Sequence, residues 1–336
     1  MQPLEGSFLV TKQGLIFEVK GVLHPEDRVI AYLRYVPSER GERIAPNRER
    51  YSKIQSLRRR ERYLKENFPE YLWYDESRGR WLQAVRKEDI SYVLEAPESL
   101  RELRDRGRHT TLLESDSLAL VEGIVESAGI GWDRVGITGS QLLGLSTPAS
   151  DIDIVVYGCK TGRQVYSTMN SFFSQGAIER YSGQRLYEHV NFRWGELDLD
   201  PRKLARVEEQ KALQGIFRTR EFYIKLVKLP SDLEQTYGDC VYRPVGTQKA
   251  LCKIRDDSSS IFTPCEYLVD CESDPSIERI VSYRGRFAEQ ANRDTLVEVR
   301  GVVEHVVELD TGRKYSQFVL GGGVRDYMIP VLQNDS

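Results

Sequence analysis

Two aspartates separated by a single isoleucine, Asp151 and Asp153, begin the apolar run "DIDIVVYG". Alternate side chains of a strand share a face, so both carboxylates project to one side while Ile152 and Ile154 project to the other. Like charges on one face repel, and burial adds to the cost unless a cation compensates. The pair therefore reads as a ligand set for a hard divalent cation, Mg²⁺ or Mn²⁺, which takes carboxylate and phosphate oxygens. Upstream, with ten residues intervening, stands Gly139-Ser140, in "GITGSQLLGL". A glycine turn ahead of a helical stretch exposes backbone N–H groups and has no Cβ to hold a ligand away, which suits phosphate oxygens. Downstream, "GELDLD" would place Glu196, Asp198 and Asp200 on one face of a second strand by the same alternation. Asp198, between two leucines, is the preferred third carboxylate, with Asp200 or Glu196 as substitutes. A phosphate cradle beside such acids implies a nucleotide held through two metal ions roughly 3.5–4 Å apart.

The elements that must position these groups follow from periodicity and breakers. "RVGIT" reads as a short strand, "SQLLGL" as one or two helical turns, "STPAS" as a loop, and "DIDIVVYG" as the next strand. Helices are expected in "APESLRELRDRG", in "SDSLALVEGIVESAGI" with Asp116 capping its start and Gly129 ending it, and in "TGRQVYSTMNSFFSQG". A strand over "YEHVNFRWGELDLDP" would stop at Pro201, and a helix would follow in "RKLARVEEQKALQG". Strand alternating with helix describes an α/β unit. In "FYIKLVKL", Lys225 and Lys228 are either further phosphate-reaching cations or solvated lysines.

The Gly-Ser turn, ten intervening residues and Asp-Ile-Asp together resemble the signature of the nucleotidyltransferase superfamily that includes DNA polymerase beta, CCA-adding enzymes and minimal nucleotidyltransferases. The likeness spans residues 135–200. It implies a mixed-sheet core and a nucleoside triphosphate substrate. It also implies that Gly139 and Ser140 grip the triphosphate and that Asp151, Asp153 and Asp198 hold two Mg²⁺ or Mn²⁺ ions. On this resemblance the chain transfers a nucleoside monophosphate to an acceptor hydroxyl and releases pyrophosphate. A non-catalytic nucleotide- or nucleic-acid-binding module that keeps the same fold is the alternative.

Around that core the 336 residues divide by composition into a β segment (1–40), a basic, helical and aromatic-rich connection (41–110), the core (111–235) and a β-rich domain (236–336). The fold class expected is α+β, and residues 27–32 and 278–283 echo each other as a duplicated small β unit would. Lys and Arg total 48 against 51 Asp and Glu, a net charge of −3, so any polyanion-binding surface must be local. Residues 40–65, whose basic side chains outnumber the acidic ones, read either as such a surface or as a solvated helix face laced with Glu–Arg pairs. Arg58, Arg59 and Arg60, near Trp73, Tyr74 and Trp81, are candidates for RNA or tRNA contact. Five cysteines without C-x-x-C spacing are expected to be reduced thiols, with no disulfide-linked partner. The lack of a long apolar run or leader pattern points to a soluble, cytoplasmic protein without membrane contact.

Overall fold

A computed structural model describes residues 2–107, 111–197 and 199–331. The chain is α+β and forms two compact units. The first comprises residues 1–76, 80–168 and 217–237, and the second residues 77–79, 169–216 and 238–336. Neither is continuous in sequence, whereas the composition shifts suggest four consecutive segments.

The first unit holds an N-terminal sheet of β1 (Phe8–Thr11), β2 (Ile16–Val19), β3 (Arg28–Pro37), β4 (Arg43–Ile44), β5 (Arg50–Lys53), β6 (Leu72–Asp75), β7 (Arg80–Arg86) and β8 (Ile90–Leu94). Strand order is β4-β5-β3-β2-β1-β8, and the β6–β7 hairpin joins through β7 to β3. The basic connection is thus only partly helical. It contributes β4 and β5 before α1 (Leu57–Asn67), which Ser56 caps by accepting from the Arg59 N–H. One face of this sheet (Leu9, Phe17, Leu33) packs with Leu64 of α1 and Tyr71. The other face (Phe8, Val10, Ile16, Tyr35, Tyr51) packs against Val155 and Tyr157 of the core.

That core follows α2 (Ala96–Asp105) and α3 (Leu112–Ala128). The Thr111 side chain, not Asp116, caps α3, and Gly129 ends it in the left-handed conformation at φ 62°. Then come β9 (Val135–Ile137), the single turn α4 (Gly139–Leu142), β10 (Ile152–Tyr157) and α5 (Cys159–Gln175). This strand–turn–loop–strand–helix order is the one expected. β9 runs antiparallel to β10. After α6 (Gly183–Trp194), α7 (Pro201–Glu208) and β11 (Gln214–Phe217), the strand β12 (Arg220–Val227) returns parallel to β10.

Among the described residues no strand forms where the third acid is expected. Leu186, Val190 and Trp194 recur every fourth residue and bury one face of α6, and the chain then turns at Gly195–Leu197. Asp198 lies outside the described residues. Asp200 caps α7, accepting from the Arg202 N–H at 2.9 Å and pairing with the Arg202 guanidinium at 3.1 Å, and Glu196 is an exposed turn residue.

The second unit holds a six-stranded sheet of β13 (Cys240–Ser259), β15 (Cys265–Cys271), β16 (Ile277–Ser282), β17 (Leu296–Glu308), β18 (Lys314–Leu320) and β19 (Tyr327–Pro330) in the order β13-β15-β16-β18-β17-β19, and the short β14 (Phe262–Thr263) is not part of it. The echoing segments belong to separate sheets, and β16, unlike β3, pairs with one neighbour in parallel. A Cys252–Cys271 disulfide corrects the all-reduced expectation. Antiparallel register sets these residues opposite each other with Cα atoms 4.2 Å apart, a pairing that cysteine spacing alone does not carry. Cys159, Cys240 and Cys265 are free. Among the described residues no helix is long and apolar enough to cross a membrane.

Candidate metal and phosphate site

Asp151 and Asp153 share the face of β10 that carries Val155 and Tyr157. Those last two residues are buried under the N-terminal sheet, whereas Asp153 is half-buried and Asp151 exposed, so the pair sits where the strand emerges from cover. Among the described residues, neither carboxylate accepts a hydrogen bond or enters an ion pair. Burial, then the neighbouring Asp151 charge, pushes Asp153 up to about 7 against the pull of Lys225 and Arg34.

Gly139 lies directly against Asp153. Its φ of +67° is left-handed, and a Cβ placed there would lie 2.0 Å from Asp153 Oδ2. The turn is held by the Thr138 N–H donating to the Asp153 carbonyl at 2.9 Å, and Ser140 Oγ donates to Ser150 Oγ at 3.3 Å. The sequence therefore brings four of the expected residues together: Gly139, Ser140, Asp151 and Asp153.

The loop between α4 and β10 is fixed from outside the signature. Arg220 donates to the Pro148 carbonyl at 2.7 Å and the Ser150 carbonyl at 3.3 Å, and Asp116 pairs with Arg220 at 3.1 Å and Arg218 at 2.6 Å. Asp116 is thus an anchor for the loop, not a helix cap. Parallel register sets Ile152 beside Phe222, so Glu221 stands one strand over at the level of Asp151 and on its face. Period two in "REFYIKLV" already aligns Glu221, Tyr223 and Lys225, but only the strand pairing brings that face to the aspartates.

Lys225 is not solvated. It lies 3.1 Å from both Glu5 and Glu18, while Lys20 lies 3.3 Å from Glu5 and 2.8 Å from Glu18. Burial would raise the Glu18 carboxyl, but Lys20 and Lys225 outweigh it and hold it well below the usual range. Burial would likewise lower Lys225, yet Glu18 and Glu5 raise it. No sequence signal marked Glu5, Glu18 or Lys20 as the partners of Lys225, because the network joins β2 to β12 across more than half the chain.

Among the described residues, no three Asp, Glu, His or Cys side chains converge closely enough to hold a metal by themselves. Two unpartnered carboxylates do match what Mg²⁺ uses when phosphates complete its shell. The arginine cluster divides. Arg58 and Arg59 are exposed on α1, but Arg60 is buried, donating to the Ile54 carbonyl at 2.8 Å and the Gln55 carbonyl at 2.9 Å, so it is withdrawn as an RNA contact. Tyr74 and Trp81 are exposed cross-strand partners with ring centroids 5.6 Å apart.

No protein-family model matches the chain, and no solved structure matches it. It is 27% identical over 321 residues, 94% of each chain, to a protein of Methanocaldococcus jannaschii named uncharacterized protein MJ1086.

Proposed function

We propose that this protein is a Mg²⁺- or Mn²⁺-dependent nucleotidyltransferase of the DNA polymerase beta-like superfamily, taking a nucleoside triphosphate and an acceptor hydroxyl. The observation that carries the reading is the unpartnered Asp151/Asp153 pair, with Asp153 lying against the left-handed Gly139. A half-buried carboxylate without a partner is costly, and a divalent cation held by Asp151 and Asp153 would relieve that cost. Bound ions would supply charge neutralisation and orientation of phosphate oxygens.

The chain's own residues do the positioning. Gly139 lets backbone approach the phosphates, Ser140 offers its hydroxyl, and Arg220 holds the loop that aims Asp151. In the reaction the acceptor oxygen forms a bond to the α-phosphorus, and the bridging P–O bond breaks with its electron pair leaving in pyrophosphate. The hydroxyl proton passes to a carboxylate or to water. RNA or tRNA is the proposed acceptor, supported by exposed Arg58 and Arg59 and by the Tyr74–Trp81 pair, which offers base-stacking surface.

A non-catalytic binding module is the second reading, favoured by the lack of a three-acid cluster among the described residues. Incubation with each α-labelled nucleoside triphosphate, Mg²⁺ or Mn²⁺ and size-fractionated RNA separates the two. Label transfer that disappears in the Asp151→Asn/Asp153→Asn double variant supports the enzyme. Metal-dependent nucleotide binding without transfer to any acceptor supports the module.

A further inference from the structure

Lys53 closes β5 directly opposite Tyr35 of β3, and opposite residues of an antiparallel pair share a face. Tyr35 and Tyr51, the latter two positions before Lys53, are buried against Val155, so this face is the one turned toward the acid-bearing side of β10. A register shift in the β2–β3 pairing leaves Arg34 as an extra residue, which lets consecutive Arg34 and Tyr35 both serve that side. The other cations here are engaged. Lys20 and Lys225 pair with Glu5 and Glu18, Arg34 lies 3.3 Å from Glu18, and Arg43 donates to the Leu145 carbonyl at 3.0 Å. Lys53 differs. Its backbone N–H donates to Glu42, but among the described residues its half-buried ammonium has no hydrogen-bond or ion-pair partner, although the charges of Asp151 and Asp153 both act on it.

We propose that Lys53 is the phosphate-binding cation of the site, reaching from the N-terminal sheet to the triphosphate oxygens of the nucleotide held at Asp151 and Asp153. The inference rests on the nucleotidyltransferase reading and adds to it that the N-terminal sheet is part of the substrate site. A triphosphate brings further negative charge to a pair that is already acidic, and an unengaged, partly desolvated ammonium is the group that offsets it.

The test measures binding of α,β-methylene analogues of ATP, CTP, GTP and UTP with Mn²⁺, alongside Mn²⁺ binding alone by electron paramagnetic resonance. Removing one charge-assisted hydrogen bond corresponds to about 10- to 100-fold in affinity. Lys53→Gln should weaken the best-bound analogue by that factor, leave Mn²⁺ binding alone unchanged or tighter, and keep the wild-type melting temperature. Lys53→Arg should recover most of the affinity. If Lys53→Gln binds the analogue as tightly as wild type while Asp151→Asn/Asp153→Asn does not bind it, the role of Lys53 is refuted and the nucleotidyltransferase reading stands. If wild type binds none of the four, or the double variant binds them unchanged, both readings fall together.

Discussion

Replacing Asp153 with Asn should stabilise the metal-free protein, and the gain should depend on pH in a definite direction. Burial and the Asp151 charge raise this carboxyl from 3.8 to about 7, so the folded state holds the proton more tightly than the unfolded chain does. The penalty is absent near pH 4, grows as pH rises toward 7, and is constant above that. Each pH unit across that interval corresponds to about 1.4 kcal/mol, which gives a ceiling of roughly 4 kcal/mol. Solvent reaches the half-buried group, so about 2 kcal/mol is expected, or about 4–8 °C in melting temperature for a unit of this size. Asn keeps the shape and removes the charge. Thermal melts of wild type and Asp153→Asn in EDTA at pH 4.5 and pH 8 measure it: nearly equal midpoints at the lower pH and a higher midpoint for the variant at pH 8. Millimolar Mg²⁺ with nucleotide should then raise wild type and not the variant. A variant that is no more stable than wild type at pH 8 would refute the claim that this carboxylate is uncompensated.

Four further outcomes follow from the same geometry. Gly139→Ala should lose nucleotide binding and cost about 1–2 kcal/mol in urea melts, because its Cβ would strike Asp153 and its backbone is left-handed; unchanged binding would remove the turn from the site. Arg220→Met should raise KM for nucleotide and expose residues 146–150 to proteolysis, read by limited digestion, since the hydrogen bonds to Pro148 and Ser150 and the ion pair with Asp116 that hold that loop are removed. Glu18→Gln should cost about 3–5 kcal/mol by leaving Lys225 and Lys20 underpaired. The Glu18 contribution in wild type, whose carboxyl is depressed, should be present above about pH 5 and fade as pH falls further. Arg58→Ala/Arg59→Ala should weaken RNA retention and flatten its log–log salt dependence by about 0.7 for each phosphate that is no longer neutralised, whereas Arg60→Ala should act on folding.

By itself the sequence determined the parts of the site that are local. The strand, turn, loop and strand of residues 135–157 lie within one short stretch whose alternation and glycines allow few other conformations, so Asp151, Asp153, Gly139 and Ser140 were legible as a group. Local reading failed where two periodicities competed. "YEHVNFRW" carries enough aromatic residues to pass for a strand, yet Leu186, Val190 and Trp194 bury one helical face, and this helix ends before Asp198 and Asp200. What only tertiary structure decided is the charge environment. Parallel pairing of β12 with β10 brings Glu221 and Lys225 to the acid face, and the packing of the N-terminal sheet over Val155 adds Glu18, Arg34 and Lys53. Electrostatic partners separated by about 70 residues or more leave no spacing to read, because their proximity arises from strand register and sheet packing, and these are set by the buried apolar face as a whole.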